Sequence, residues 1–254
     1  MNLEYYRPKT IDEALALLAR KEPLTLPLAG GTVVNQPGTA AQALVDLQDL
    51  GLDTYQQRGN MLELGAMLTL QRLLGLSESG ELPLPGDLPL ALEKEASYNL
   101  RQAASLAGTL VAADGRSPLT TAMLALDPTL TLLPGNEQVS LGDVLPLRGE
   151  RLSGCLIIRV SIPSHVKLAY ESVARSPADR PIVCVAVAVW PGGRVRVALG
   201  GYGRMPRLAF DGTEPGGVEL AARSAYSQAG DEWAGADYRS DVAGVLAQRC
   251  LSRL

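Results

Sequence analysis

Leu28-Ala-Gly-Gly-Thr-Val-Val34 is the stretch on which the reading of this chain turns. Leu24 to Leu28 reads as a strand despite Pro27, and it leaves through two adjacent glycines and a hydroxyl. Glycine accepts the positive φ that turns consecutive backbone N–H groups to one side, so Ala29, Gly30, Gly31, Thr32 and Val33 can form a nest for an anion. The same two glycines also suffice for an ordinary turn. The stretch is neither Gly-x-Gly-x-x-Gly opening a helix nor a lysine-bearing phosphate loop, so the hallmarks of ordinary Rossmann and nucleotide-hydrolysing sites are missing.

Upstream, Thr10-Ile-Asp-Glu13 is a capping box, followed by a helical apolar stripe at Ala14, Leu15, Leu17 and Leu18. Downstream, Ala43 to Leu47 and Met61 to Gly65 read as strands, and Thr69 can cap a helix from Leu70 to Leu74. Glu78 to Pro89 carries Pro83, Pro85 and Gly86 and reads as a surface loop, with a helix from Leu90 to Tyr98 behind Pro89. Leu119 to Leu126 is a helix stopped by Asp127-Pro128, and Thr129 to Leu133 a strand stopped by Pro134-Gly135. Leu156 to Ile162 is a further strand, with a boundary near Pro163.

Within this half, Leu100-Arg-Gln-Ala-Ala-Ser-Leu-Ala-Gly-Thr-Leu110 is a second small-residue bend. Ser105 and Thr109 offer hydroxyls around Ala107-Gly108, either to a ligand or as a tight corner between helices. Beyond Pro163 the texture changes. Ile182 to Val189 is a continuous apolar run, and after Pro191-Gly192-Gly193 comes the alternating Arg194-Val-Arg-Val-Ala-Leu199, which makes a β-hairpin. Gly200-Gly-Tyr-Gly203 reads as the strand exit, and helical spacing returns from Val218 to Tyr226 and from Tyr238 to Leu254.

At 254 residues, with 46% hydrophobic and 20% charged side chains, the chain has material for one large domain or two small ones. Gly 26 and Pro 17 are above ordinary usage, in keeping with many turns. Net charge is −4 and there is no basic run, which argues against a nucleic-acid partner. The longest uncharged stretch, Pro23 to Val45, is broken by Pro27, Gly30, Gly31, Pro37 and Gly38, so no membrane span is expected. Asn-Leu-Glu-Tyr-Tyr after Met1 lacks the features of a secretory signal, giving a cytoplasmic expectation. Cys155, Cys184 and Cys250 are too scattered for a disulfide framework or a metal knuckle, and no metal site is expected. The single histidine, His165, stands in no nucleophile or zinc motif, so redox chemistry here requires a bound organic cofactor.

Taken in order, these segments resemble the FAD-binding medium subunit of molybdenum hydroxylases, the xanthine dehydrogenase and aerobic carbon monoxide dehydrogenase flavoprotein family. Tyr5-Tyr-Arg-Pro-Lys-Thr-Ile-Asp-Glu-Ala14 is similar to the family's start, Leu28-Ala-Gly-Gly-Thr32 to its first FAD loop, and Leu100 through Thr109 to its second, Ile-Arg-Asn-x-Ala-Thr-Ile-Gly-Gly-Asn. Leu156 to Pro163, Tyr170 to Val189, Trp233 to Arg239 and Val245 to Arg249 resemble later segments. The resemblance implies an α+β fold. A PCMH-type FAD-binding domain spans 1–163, in two α/β subdomains of about 1–55 and 56–163, and a C-terminal domain with a small antiparallel sheet and helices spans 164–254.

It also implies that FAD lies on Ala29, Gly30, Gly31, Thr32 and Val33 and on Ser105, Ala107, Gly108 and Thr109, with Ile157 and Tyr170 bordering the ring. Asp114 is the carboxylate nearest to the one the family sets against the cofactor's sugar or chain, where this sequence has Pro118. Glu171 stands where relatives have a lysine, which implies a lower flavin potential or a rebuilt pocket. No residue need act as acid or base. Such subunits pass electrons between a [2Fe-2S] small subunit and NAD(H) or another acceptor, with molybdopterin on a large subunit. A non-flavin scaffold or assembly subunit of the same fold is the alternative, and an unrelated binding module for a phosphorylated ligand a third.

Overall fold

A computed structural model describes residues 3–34 and 41–254. Pro37 and Gly38, read above as breaks in an uncharged stretch, lie outside the described residues, as does Met1. In chain order the elements are β1 (Glu4–Tyr6), α1 (Ile11–Leu18), β2 (Thr25–Leu28), β3 (Ala43–Asp46), β4 (Tyr55–Arg58), β5 (Met61–Gly65), α2 (Leu70–Glu78), α3 (Leu88–Glu95), α4 (Tyr98–Ala103), α5 (Leu106–Ala112) and α6 (Pro118–Leu126). Then follow β6 (Thr129–Leu133), β7 (Glu137–Ser140), α7 (Leu141–Arg151), β8 (Leu156–Pro163), β9 (Lys167–Val173), β10 (Val183–Val189), β11 (Val195–Gly200), β12 (Arg207–Gly212), α8 (Val218–Ala225) and α9 (Ala236–Ser252). Two compact units result, the first from 1–75, 98–112 and 129–162, the second from 76–97, 113–128 and 163–254.

The first unit holds two sheets. A three-stranded parallel sheet runs in the order β1-β3-β2, with Leu44 of β3 opposite Tyr5 on one side and Leu26 on the other. α1 forms where the capping box lies: Thr10 Oγ1 accepts the Glu13 N–H, while the Glu13 carboxylate reaches back to the Lys9 N–H. Its Ala14 and Leu18 bury against Val45, Leu47, Leu52 and Leu156. The second sheet runs β4-β5-β8-β6-β7, antiparallel where β4 meets β5 and where β6 meets β7 and β8. Leu62, Leu64, Leu130, Leu132 and Val160 are buried in this sheet.

The second unit is built on the antiparallel sheet β12-β11-β10-β9. Val183, Val185 and Val187 of β10 and Val195, Val197 and Leu199 of β11 share one core with Ala222 of α8 and Leu246 and Cys250 of α9. On the other face, Thr121 of α6 reaches Cys184. Helices on both faces explain why β10 reads as an unbroken apolar run rather than an alternation. α6 starts with Pro118 in its first turn and the Ser117 side chain accepting the Thr120 N–H, and it stops at Asp127 in the left-handed conformation. With parallel pairing in the three-stranded sheet and antiparallel pairing in the other two, the fold is mixed α+β. Among the described residues no helix is long and apolar enough to cross a membrane.

Candidate functional site

The glycine loop emerges from the carboxyl end of β2, beside the end of the central strand, where the Leu47 N–H bonds Leu28 O at 3.0 Å. Ligands of open parallel sheets bind outside the carboxyl ends of the strands. Gly31 has φ +68°, the left-handed region in which a side chain is strained. Gly30 is glycine for a different reason: a Cβ there would lie 1.6 Å from Ala103 O. The loop therefore rests directly on the last carbonyl of α4. Gly30 and Val33 are exposed, and Ala29, Gly31 and Thr32 are half-buried.

The two small-residue bends singled out in the sequence thus meet within one unit. The second is a corner between α4 and α5. Ser105 is 3% exposed, its Oγ accepts the Gly108 N–H at 3.2 Å, and its carbonyl accepts both the N–H and the hydroxyl of Thr109 at 2.9 Å. The Leu106 and Ala107 N–H groups donate to Leu68 O (2.8 Å) and Ala66 O (3.1 Å), and Leu70 N–H donates back to Ala104 O (3.0 Å). Ala107 is buried and Gly108 is exposed. Arg101, on α4, is anchored by Gln71 at 3.0 Å.

Of the other expected site residues, Ile157 belongs to the first unit and Asp114 and Tyr170 to the second. Ile157 sits opposite Leu132 in the five-stranded sheet, with its side chain in the core of the first unit. Asp114 belongs to the second unit. Its carboxylate takes both terminal nitrogens of Arg180 and the Arg116 N–H at 2.8 Å. Arg116 in turn donates to Arg180 O and Pro181 O. Tyr170, also in the second unit, is 2% exposed; its N–H donates to Asp87 and its hydroxyl has no well-aligned hydrogen bond. Pro118 opens α6, and Glu171 faces Arg253 and Arg249 at 3.7 and 3.9 Å. The glycines at 200–203 leave β11 as the sequence suggests and are held by Gly115 N–H to Gly203 O at 3.0 Å and Gly201 N–H to Gly115 O at 2.6 Å.

One group that the sequence reading passed over is Glu95. Its Oε2 accepts the Ser117 hydroxyl and the Leu119 N–H, both at 2.8 Å, at the start of α6. Burial pushes its carboxyl up to about 7, against the opposing pull of those two donors and of Arg180. A glutamate closing an amphipathic helix carries no sequence signal of this, because its burial is made by a segment further along the chain. Burial likewise pushes the Cys184 thiol up to about 11, while His165 is exposed and Cys155 partly so. Among the described residues no group of three or more His, Cys, Asp or Glu side chains is placed to hold a metal ion.

Residues 1–165 match the family described as FAD binding domain in molybdopterin dehydrogenase. The carbon monoxide dehydrogenase medium chain of Afipia carboxidovorans is 26% identical over 285 residues, covering 99% of this chain and 96% of that protein. The uncharacterized protein YgfM of Escherichia coli (strain K12) is 28% identical over 249 residues, covering 96% and 93%. Among solved structures, reconstituted CO dehydrogenase from Oligotropha carboxidovorans superposes with a TM-score of 0.82 at 24% identity, covering 100% of this chain and 97% of that one. That last likeness establishes the shared fold.

Proposed function

The chain belongs to the family of FAD-binding domains of molybdopterin dehydrogenases, and from that premise we propose that it is the FAD-carrying electron-transfer subunit of a molybdenum hydroxylase-type oxidoreductase. Its partners are a [2Fe-2S] subunit and a molybdopterin subunit, with NAD or another two-electron acceptor taking the electrons. The observation that carries this reading is the meeting of the two bends: Gly30 seats on Ala103, and Gly31 holds a positive φ at the carboxyl end of a parallel strand. Small side chains from Ala29 to Thr32 let a diphosphate approach the backbone, so the residues present fit FAD at this loop. Bound FAD supplies a carrier that accepts electrons one at a time and releases them in pairs. The protein's part is to hold the diphosphate with main-chain N–H groups and to fix the loop that carries them. The matched span 1–165 supports assigning the cofactor to that portion, with 164–254 as a C-terminal flavoprotein domain.

A second reading, a non-flavin scaffold of the same fold, is favoured by one observation: the N–H groups of Leu106 to Thr109 already donate within the protein. The visible absorption spectrum of the purified chain after incubation with FAD and removal of excess separates the two. The flavin reading predicts flavin bands that stay with the protein. A colourless protein contradicts it.

A further inference from the structure

We propose that Asp46 is a positioning residue of the glycine loop: its carboxylate shapes the exit of β3, and that exit holds the end of the strand from which the loop springs. The inference rests on the flavin reading above and adds to it a residue that acts through the main chain. β3 is an apolar run, Ala43-Leu-Val45, that ends in an acid. Asp46 is 2% exposed, and a carboxylate is costly to bury unless donors surround it. Two donors do so. Oδ1 accepts the Gln48 N–H at 3.0 Å, an Asx turn that ends the strand and opens the short 3-10 helix Gln48–Leu50. Oδ2 accepts the Tyr5 hydroxyl, and Arg7 Nε stands 4.0 Å from it with its fork on Asp49. Tyr5 belongs to β1, opposite Leu44, so one carboxylate ties the neighbouring strand to the end of the central one.

Leu47 lies inside that Asx turn. Its N–H donates to Leu28 O at 3.0 Å, and Asp46 itself is the register partner of Leu28. Leu28 is the last residue of β2, and Ala29 begins the loop. The turn fixes the backbone of residues 46–48, and with it the direction of the N–H that anchors the root of the loop. Two residues further on, Gly30 rests on Ala103 O, so the loop is fixed at its root as well as at its glycines.

Two measurements on the full chain test this: amide hydrogen exchange at Leu47 without FAD, and the dissociation constant for FAD from quenching of flavin fluorescence. In Asp46→Ala the Leu47 amide exchanges faster and FAD binds more weakly, each by about tenfold or more. Tyr5→Phe keeps the carboxylate and removes one donor; it moves both in the same direction by about fivefold, and it carries the test if Asp46→Ala does not fold. Asp46→Asn stays within about twofold of the parent in both, because its amide oxygen accepts the Gln48 N–H and its amide nitrogen donates to the Tyr5 hydroxyl. A Leu47 amide that keeps its protection in whichever of Asp46→Ala and Tyr5→Phe folds overturns the inference. So does an Asp46→Asn protein with Leu47 protected but FAD affinity changed by about tenfold, since the carboxylate charge then meets the ligand itself. Binding of FAD by none of the forms, parent included, overturns the flavin reading, while the Leu47 amide still decides whether Asp46 sets the strand exit.

Discussion

Gly30 and Gly31 are adjacent and are glycine for unlike reasons, which makes their substitutions distinguishable. Gly30→Ala places a methyl against Ala103 O, and neither backbone can swing aside as a side-chain end would. The cost is that of overpacking, about 1–3 kcal/mol, with the loop lifted off its seat, so thermal stability and FAD affinity both fall. Gly31→Val strains a φ of +68° with a β-branched residue. It costs about 1–2 kcal/mol in the loop itself and ejects the flavin while the β10–β11 hairpin stays folded, as far-ultraviolet circular dichroism against a flavin titration will read.

Glu95 supplies a pH prediction at the same scale. Its carboxyl is raised from 4.5 to about 7, chiefly by burial. A raised carboxyl means that the folded form binds a proton the unfolded form has lost, so the contribution to stability is complete below about 4.5 and disappears as pH climbs through about 7. Melting temperature followed from pH 5 to pH 8 falls in the parent. In Glu95→Gln, which still presents an oxygen to Ser117 and Leu119, this component of the slope is absent, and an unchanged slope refutes the assignment.

Among elements, the two ends of unit 2 helices differ in what holds them. Ser117 caps α6 by accepting the Thr120 N–H and donates its hydroxyl to Glu95, so Ser117→Ala costs about 1–2 kcal/mol. Arg239, wholly buried at the start of α9, donates to Ile182 O, Gly201 O and Asp231. Arg239→Ala leaves those acceptors without their donor and opens a cavity, costing about 3–5 kcal/mol by chemical denaturation. A smaller loss in Arg239→Ala than in Ser117→Ala contradicts this ranking.

Elements were also where the sequence spoke most clearly. The Thr10 capping box, the strand at Met61–Gly65, the apolar run of β10 and the alternation of β11 each state their local structure through a neighbour two to four residues away. What the sequence could not state was the partner of each surface. Ala103 meets Gly30, Cys184 meets Thr121, and Glu95 meets Ser117, and no local pattern encodes such pairings.

For the molecule as a whole, the chain passes repeatedly between its two units, so that residues 76–97 and 113–128 fold with the C-terminal sheet. Asp114, ten residues or fewer from the Ser105–Thr109 corner in sequence, therefore falls in a different unit from it. Tagged chain co-expressed with candidate iron–sulfur and molybdopterin subunits is expected to capture both. Recovery of the chain alone, fully loaded with FAD, contradicts the heteromeric part of the proposal.

If the protein carries FAD as proposed, the diphosphate is held on the backbone of the Ala29–Val33 loop. Calorimetric titration of the purified chain with FAD and, separately, with riboflavin, which has the same ring and no phosphate, addresses it directly. Expected are saturable binding of FAD, lost in Gly31→Val, and no measurable binding of riboflavin. Equal binding of the two flavins, or none of either, contradicts it.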